Sequence, residues 1–264
     1  MVMHVEDIEL PVSVTRSRFV PGVHIEPCPR WVRASCGGEV VANSKQVLLA
    51  YEPRRLPVYW FPAEDVRTDL LSATRQETAP SGIVRWTLQV GDRLVPNAAW
   101  SYANPGPERA ALIDHIALYW GRMDAWFEED DEVFAHPRDP YHRVDVLNSS
   151  RHVRVELDGQ LLAESTRPRL LFETGLPTRY YLPKQDVRME LLTPSTRTSR
   201  CPYKGVATYW SLRNGAETGS DIVWSYLAPI PECPKIENLL SFFNERVDIV
   251  VDGELQPRPV IDWS

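Results

Sequence analysis

The chain has 264 residues, 43% of them hydrophobic and 25% charged, which is an ordinary globular composition in a chain longer than most single domains. Its formal net charge of −7 argues against nucleic acid as a partner, because such binding needs a basic surface. No apolar stretch approaches the ~18 to 20 residues that span a bilayer, and residues 1–7 lack the features of a signal peptide. We therefore expect a cytoplasmic protein without a membrane partner.

An internal repeat is the clearest feature of the sequence. Residues 31–74 align without a gap with residues 152–195, and 14 of the 44 pairs are identical, where chance would give roughly 3. After a three-residue insertion the match continues, and Trp100-Ser101-Tyr102 aligns with Trp224-Ser225-Tyr226. The sequence therefore predicts two copies of one domain in tandem.

The position of the repeats sets the predicted domain organisation. We place the first repeat at residues 28–134 and the second, with a C-terminal tail, at 149–264. Scattered prolines and no sustained hydrophobic period indicate an extended arm over residues 1–27. Residues 135–148, which are rich in Pro, Asp and Asn, are interpreted as the linker. We expect a monomer in which the two repeats pack as an intramolecular pseudo-dimer.

Short apolar runs separated by turn residues predict a mostly β protein of two small antiparallel domains. Gly37-Gly38 and Asp158-Gly159 each lie between two such runs, which is typical of a tight β-hairpin. One short helix per repeat is predicted, near Pro107–Asp114 and near Pro231–Ser241. The Asp-Val-Arg segment at residues 65–67 is interpreted as extended, with Asp65 and Arg67 on one face of a strand.

Three sequence features together carry a family resemblance. They are the two Pro-x-x-Asp-Val-Arg segments, the string Cys201-Pro202-Tyr203-Lys204-Gly205, and Trp224-Ser225-Tyr226. These features resemble the bacterial and fungal family catalogued as domain of unknown function 427, over about residues 28–134 and 149–256. The resemblance implies a fold similar to β-tents, in which two small antiparallel sheets lean together over a cleft. Families of this kind sometimes carry a nucleotidyltransferase label, but the chain has no residues that support this activity.

The cysteines do not indicate a metal site. Related tents often hold zinc, but Cys28, Cys36, Cys201 and Cys233 include no Cys-x-x-Cys pair and no zinc-type spacing with histidine. None of them occupies an equivalent position in both repeats. The sequence therefore predicts reduced thiols and no metal, and it identifies no cofactor.

Residues shared by both repeats are the first candidates for a ligand site. The Asp65/Arg67 and Asp186/Arg188 pairs suit recognition of a carboxylate or phosphate, although structural ion pairs are the stronger interpretation. The shared aromatic residues could form a cage for a flat or cationic ligand, or fill the core. These residues are Trp86, Trp100 and Tyr102 in the first repeat and Trp210, Trp224 and Tyr226 in the second.

The segment Arg200–Gly205 has no counterpart in the first repeat and is the sharper candidate for chemistry. Arg200 and Lys204 would favour a thiolate at Cys201, as a nucleophile or a redox thiol requires. A base would also be needed, and His115 and His152 are the histidines available in ordered segments. The alternative is a buried cysteine in a tight turn.

Three functions remain open at this stage. The first, which we prefer, is a small-molecule-binding module with an aromatic cleft in the second repeat. The second is an enzyme that uses Cys201 and Lys204, and the third is a protein-interaction scaffold. The chain has no phosphate-binding Gly-rich loop, Gly-x-Ser-x-Gly elbow or His-Glu-x-x-His motif. The residues assigned to the cleft are Tyr203, Trp210, Trp224 and Tyr226, with Lys204 and Arg188 as polar anchors.

Overall fold

A computed structural model describes residues 22–52, 55–76, 82–213 and 219–260. These residues form four antiparallel sheets, of which two are seven-stranded and two are four-stranded. In the described ranges the helical segments are short 3₁₀ turns, and none has the length and hydrophobicity of a membrane span. The predicted mostly β architecture with two tandem antiparallel domains is confirmed.

The strands are numbered in chain order. Strands β1 to β11 of the first repeat are His24–Pro27, Val32–Cys36, Glu39–Ser44, Leu48–Tyr51, Val58–Pro62, Leu71–Gln76, Ile83–Val90, Arg93–Tyr102, His115–Leu118, Ala125–Glu128 and Asp131–Glu132. Strands β12 to β22 of the second repeat are Val144–Asn148, Val153–Leu157, Gln160–Ser165, Arg169–Glu173, Arg179–Leu182, Leu192–Cys201, Gly205–Leu212, Val223–Pro229, Leu240–Phe242, Asp248–Val251 and Glu254–Leu255.

The two repeats share one topology. The large sheets have the orders β1-β4-β5-β9-β8-β7-β6 and β12-β15-β16-β20-β19-β18-β17, and the small sheets have the orders β11-β10-β2-β3 and β22-β21-β13-β14. Each strand therefore has a counterpart in the same place in the other repeat. The predicted packing of the repeats as a pseudo-dimer stays a prediction.

Each repeat has two apolar layers. Alternate residues of β2 and β13 point between the large and the small sheet, which gives these strands a regular buried and half-buried pattern. The opposite face of each large sheet carries a second, aromatic-rich cluster, around Trp60 and Trp100 in the first repeat and around Tyr181 and Trp224 in the second. The large sheets are therefore covered on both faces.

Turn chemistry explains the two hairpins that the sequence predicts. Gly37 and Gly38 have φ angles of 60° and 83°, and Asp158 and Gly159 have φ angles of 51° and 78°. Two consecutive residues with positive φ match the twist of a two-residue hairpin, and glycine, aspartate and asparagine tolerate this conformation best. Both hairpin predictions are confirmed.

Two edge strands lie outside the repeat boundaries that the sequence suggested. Residues 24–27 of the predicted arm form β1, which pairs with β4, and residues 144–148 of the predicted linker form β12, which pairs with β15. Both strands are short and partly exposed, so they lack a clear alternation of apolar and polar residues.

The helix predictions need correction. The segments Pro107–Leu112 and Pro234–Ile236 are 3₁₀ turns, and part of the second predicted helix is strand β20. Asp114 and Asn238 follow these turns with a φ angle of 56°, which a helix cannot continue.

The Asp-Val-Arg segments are also not strands. Asp65 ends the 3₁₀ turn Ala63–Asp65, and a second turn, Thr68–Leu70, follows Arg67. Val66 alone is extended between these turns and forms an isolated bridge with Ala42. Asp65 and Arg67 therefore do not share a strand face.

Candidate functional site

One open pocket lies in the second repeat, beside the large sheet. We call it the Trp210 pocket, and its volume is about 420 Å³. Strands β18 and β19, the turn after β16 and the segment before β20 form its walls. The lining residues are Pro183, Lys184, Gln185, Trp210, Ser225, Leu227, Glu237, Asn238, Leu239 and Leu240.

A difference in backbone hydrogen bonds accompanies the opening of this pocket. In the first repeat the amide of Ala63 donates to the carbonyl of Asp114 at 2.9 Å, which joins the turn after β5 to the segment before β9. In the second repeat the amide of Asn238 donates instead to the carbonyl of Tyr226 at 3.0 Å. No backbone bond joins Lys184 to Asn238 among the described residues, and the gap between their segments forms part of the pocket.

A side-chain hydrogen bond between a tryptophan and a serine also differs between the two repeats. Trp86 Nε1 donates a hydrogen bond to Ser101 Oγ at 3.1 Å in the first repeat. Their counterparts, Trp210 and Ser225, both line the pocket, and within the described ranges neither the indole N–H nor the hydroxyl has a hydrogen-bond partner. Ser225 is only 1% exposed. Two polar groups that satisfy each other in one repeat are therefore available to a ligand in the other.

A second cluster surrounds the buried carboxylate of Glu173, whose side chain is 4% exposed. Glu173 lies 2.9 Å from His142 Nε2 and accepts a hydrogen bond from Lys204 Nζ at 2.5 Å. Because an ionised carboxylate only accepts, His142 is the donor in its contact. Burial acts to raise the pKa of Glu173, but the His142 hydrogen bond and the Lys204 ammonium outweigh it and lower the pKa below its ordinary value.

Tyr203 joins this cluster to the segment between the repeats. Its ring stacks on His142 with a centroid distance of 4.0 Å, and its hydroxyl accepts a hydrogen bond from the Asp139 amide at 2.8 Å. The His136 ring packs against the Tyr203 ring with a centroid distance of 5.8 Å, and burial lowers the pKa of the His136 imidazole. The Tyr-Lys part of the Cys-Pro-Tyr-Lys-Gly string therefore contacts the chain's own linker, and its polar groups are already paired.

The aromatic residues assigned to one cleft do not all lie on one face of the sheet. In the register of β18 and β19, Tyr209 lies opposite Trp224, whereas Trp210 lies opposite Val223. Trp210 therefore points to the other face of the sheet from Trp224. Trp224 and Tyr226 are 7% and 5% exposed and belong to the aromatic core, so a cleft that combines them with Trp210 is corrected to a pocket with Trp210 alone.

The aromatic residues of the first repeat also fill the protein interior. Trp100 packs edge-on against Trp60 at 4.5 Å, and Tyr102 stacks on Trp60 at 5.3 Å. Trp86 contacts the core on the opposite face of the large sheet. These residues form packing clusters and do not surround a ligand cage.

The arginines of the Asp-Val-Arg segments have local partners. Arg67 Nη2 lies 2.7 Å from Asp69, and Arg188 Nε lies 3.0 Å from Glu190. Asp186 lies 2.9 Å from Arg167 and accepts a hydrogen bond from Ser165 at 2.7 Å. A recess of about 300 Å³ adjoins Asp65 and Arg67, but the Arg67 guanidinium is already engaged by Asp69. These contacts are structural ion pairs. They do not join Asp65 to Arg67 or Asp186 to Arg188, as the sequence had suggested.

The residues predicted to activate Cys201 contact other groups. Lys204 pairs with Glu173, and the Arg200 guanidinium lies over the Phe134 ring at 4.6 Å, so both predicted cations have other partners. His152 contacts Glu164 at 2.7 Å, and His115 contacts a backbone carbonyl at the same distance. All four cysteines are free, and no group of three or more metal-ligating side chains is found in the described residues.

Several residues of these sites were missed from the sequence. The identity of Glu52 and Glu173 in the repeat alignment was a signal for Glu173. Ser225 was visible only as part of the repeated Trp-Ser-Tyr string. His142 gave no signal, because it lies in the predicted linker and is brought to Glu173 by the pairing of β12 with β15.

Comparison with known proteins identifies the repeats as two copies of one domain. A family model described as a domain of unknown function (DUF427) matches residues 24–129 and again residues 145–253. The two matches begin at β1 and within β12, which are equivalent strands in the two large sheets. No curated protein matches the chain.

Proposed function

The chain belongs to the DUF427 family as a tandem of two copies, and from this premise we propose that it is a small-molecule-binding module whose ligand site is the Trp210 pocket. One observation carries the proposal. The tryptophan and serine that bond to each other in the first repeat are separate and face a pocket in the second.

The energetics of burial support this assignment. A polar group that is removed from bulk water without a hydrogen-bond partner costs about 1 to 3 kcal/mol. Ser225 is almost fully buried, and its hydroxyl and the Trp210 N–H have no partner in the described part of the chain. A ligand with one acceptor and one donor would pair with both groups, as their counterparts pair with each other in the first repeat.

The size and lining of the pocket suit a small organic molecule. A volume of about 420 Å³ lies within the range of roughly 300 to 1,000 Å³ that is usual for small-molecule sites. Trp210 and three leucines supply apolar contact area, and the remaining polar side chains lie around it. This combination of an apolar wall with a few polar groups is the usual form of a ligand site.

The test is a thermal-shift screen of a metabolite library with the full chain. A ligand at 100 times its Kd stabilises the folded state by about 2.7 kcal/mol, which raises the apparent Tm. We expect the shift to be lost in the double variant Trp210→Phe/Ser225→Ala, which keeps an aromatic ring but removes both polar groups.

The matched control is Trp86→Phe/Ser101→Ala, which makes the same changes in the first repeat. Its ligand-induced shift should equal that of the wild type. The proposal fails if no compound stabilises the wild type, or if the Trp210 variant retains the full shift for every hit.

A further inference from the structure

We infer that the Trp210 pocket takes a small organic monoanion, a carboxylate attached to a planar or apolar body. This inference rests on the proposed function, because it names the ligand class of the same site. It follows from the balance of hydrogen-bond donors and acceptors, from one cation and one anion on opposite segments, and from the comparison between the repeats.

Three side chains that can donate hydrogen bonds line the pocket. The Trp210 indole can only donate, the Ser225 hydroxyl can donate or accept, and the Lys184 ammonium carries three donors. In the described ranges Lys184 has no salt-bridge or hydrogen-bond partner. Carboxylate oxygens accept hydrogen bonds and carry a negative charge, so they complement all three groups.

The positive charge is specific to the repeat with the open pocket. Lys184 corresponds to Ala63 in the first repeat, where the backbone amide closes the gap through its bond to Asp114. The nearby acid Asp186 does not cancel the lysine, because Asp186 is already held by Arg167 at 2.9 Å and by Ser165 at 2.7 Å. Lys184 is thus a free cation beside free donors.

Glu237 sets the limit on the ligand's charge. It lies on the segment before β20, across the pocket from the turn that carries Lys184, and it is exposed and unpaired among the described residues. A second negative charge on the ligand would be repelled by Glu237, whereas a hydroxyl or amine donor would be attracted. A monoanion therefore fits the pocket better than a dianion.

The ligand body is defined by Trp210 and the neighbouring leucines. Leu227 also lines the pocket and is 52% exposed, so the pocket has an open apolar surface. An aromatic ring has a favourable stacked or edge-on geometry with an indole. Benzoate, with one ring and one carboxylate, is the smallest probe of this class.

The experiment compares three probes of similar shape and different charge: benzoate, benzyl alcohol and benzylamine. Each is titrated into the full chain, and the indole N–H signal of Trp210, assigned with Trp210→Phe, is followed by NMR. We expect benzoate to bind most tightly, because its carboxylate can pair with Lys184 and accept hydrogen bonds from the Trp210 N–H and the Ser225 hydroxyl. Lys184→Gln should weaken benzoate binding by about 1.4- to 5-fold, since one exposed ion pair is worth about 0.2 to 1 kcal/mol.

Two further variants test whether benzoate binds through Lys184 itself or responds only to the overall charge of the protein. Lys184→Glu should make benzylamine the preferred probe. Arg188→Gln removes one positive charge from the same chain segment, but Arg188 does not line the pocket and pairs with Glu190, so benzoate affinity should not change.

The outcomes distinguish the ligand class from the site. If benzyl alcohol or benzylamine binds as tightly as benzoate, or if Lys184→Gln has no effect while the Trp210 signal still shifts, the anion assignment is overturned and the pocket stands. If none of the probes shifts the Trp210 signal and the metabolite screen yields no hit, the proposed function itself falls.

Discussion

The two repeats hold an equivalent carboxylate in different surroundings. Glu52 contacts Arg109 at 3.0 Å and Arg55 at 2.9 Å, and its side chain is 17% exposed. Glu173 is 4% exposed and is bound by Lys204 and His142. The two repeats share the carboxylate, but the cations that neutralise it come from different segments.

The exchange of cations can be followed in the alignment. Arg109 of the first repeat corresponds to Cys233 of the second, which is a buried, neutral side chain. In the second repeat the cation is Lys204, which lies in the segment Arg200–Gly205, and the sequence of this segment has no counterpart in the first repeat. A buried carboxylate without a cation would be costly, and each repeat supplies a cation from a different segment. The comparison therefore assigns the Tyr-Lys loop a structural role.

The largest predicted effect is on the buried ion pair. Lys204→Met leaves the Glu173 carboxylate buried with His142 as its remaining partner, and removal of one member of such a pair costs about 3 to 5 kcal/mol. The measurement is the free energy of unfolding from urea titration. The matched change in the first repeat, Arg109→Met, should cost only about 1 kcal/mol, because Glu52 is more exposed and keeps Arg55. Equal losses would contradict the comparison.

A smaller effect is expected at Gly205, the last residue of the same loop. Its φ angle is 104°, and a Cβ atom there would lie 3.3 Å from the Ala228 carbonyl oxygen and from the Ile230 nitrogen. Gly205→Ala should therefore cost about 2 to 3 kcal/mol, since backbone strain and crowding add. Gly159→Ala is the control, because its φ angle is also positive but no atom lies within 4 Å of the added Cβ. Thermal unfolding should show a clearly smaller loss for Gly159→Ala.

The smallest effect concerns the pH dependence of stability that arises from His136, which lies in the linker and contacts Tyr203 of the second repeat. Burial lowers the pKa of His136 below the ordinary histidine value of about 6.5. Below that pH the unfolded chain binds a proton that the folded chain does not bind, so stability should fall as the pH drops. The lowered pKa of Glu173 acts in a more acidic range: its contribution is present above about pH 4.3 and is lost as the pH falls through the folded-state pKa.

The measurement is the free energy of unfolding between about pH 8 and pH 5. His136→Gln should flatten this part of the curve, and His115→Gln, which removes a half-buried histidine far from the linker in sequence, is the control variant. An unchanged slope in His136→Gln would show that the imidazole does not control the acid sensitivity of this region.

The sequence predicted those parts of the fold that depend on local chemistry. Gly37-Gly38 and Asp158-Gly159 determine their hairpins through backbone conformation, and both hairpins are present. The edge strand β12 was missed because its stability comes from pairing with β15 and its own pattern is weak. Short 3₁₀ turns were mistaken for helices, because a proline at the first position is compatible with either.

The candidate site was only partly predictable for a related reason. Trp210 was identified through the repeat, but its separation from Trp224 depends on strand register, and a bulge between Gly205 and Ala207 shifts that register. The contact between His142 and Glu173 spans 31 positions and two strands. No sequence pattern identified Lys184, because it is a surface lysine. It became a candidate for ligand binding only because it lines the pocket.

The contact of the linker with Tyr203 has a consequence for the autonomy of the second repeat. The family match to this repeat begins at residue 145, yet Asp139 and His142, which bind Tyr203 and Glu173, lie before that point. A fragment cut at the family boundary would expose the carboxylate and one face of the tyrosine ring, whereas a fragment that begins at residue 139 would keep both covered. We therefore expect a fragment of the second repeat to need residues 139–144, beyond the family match, to keep these side chains covered.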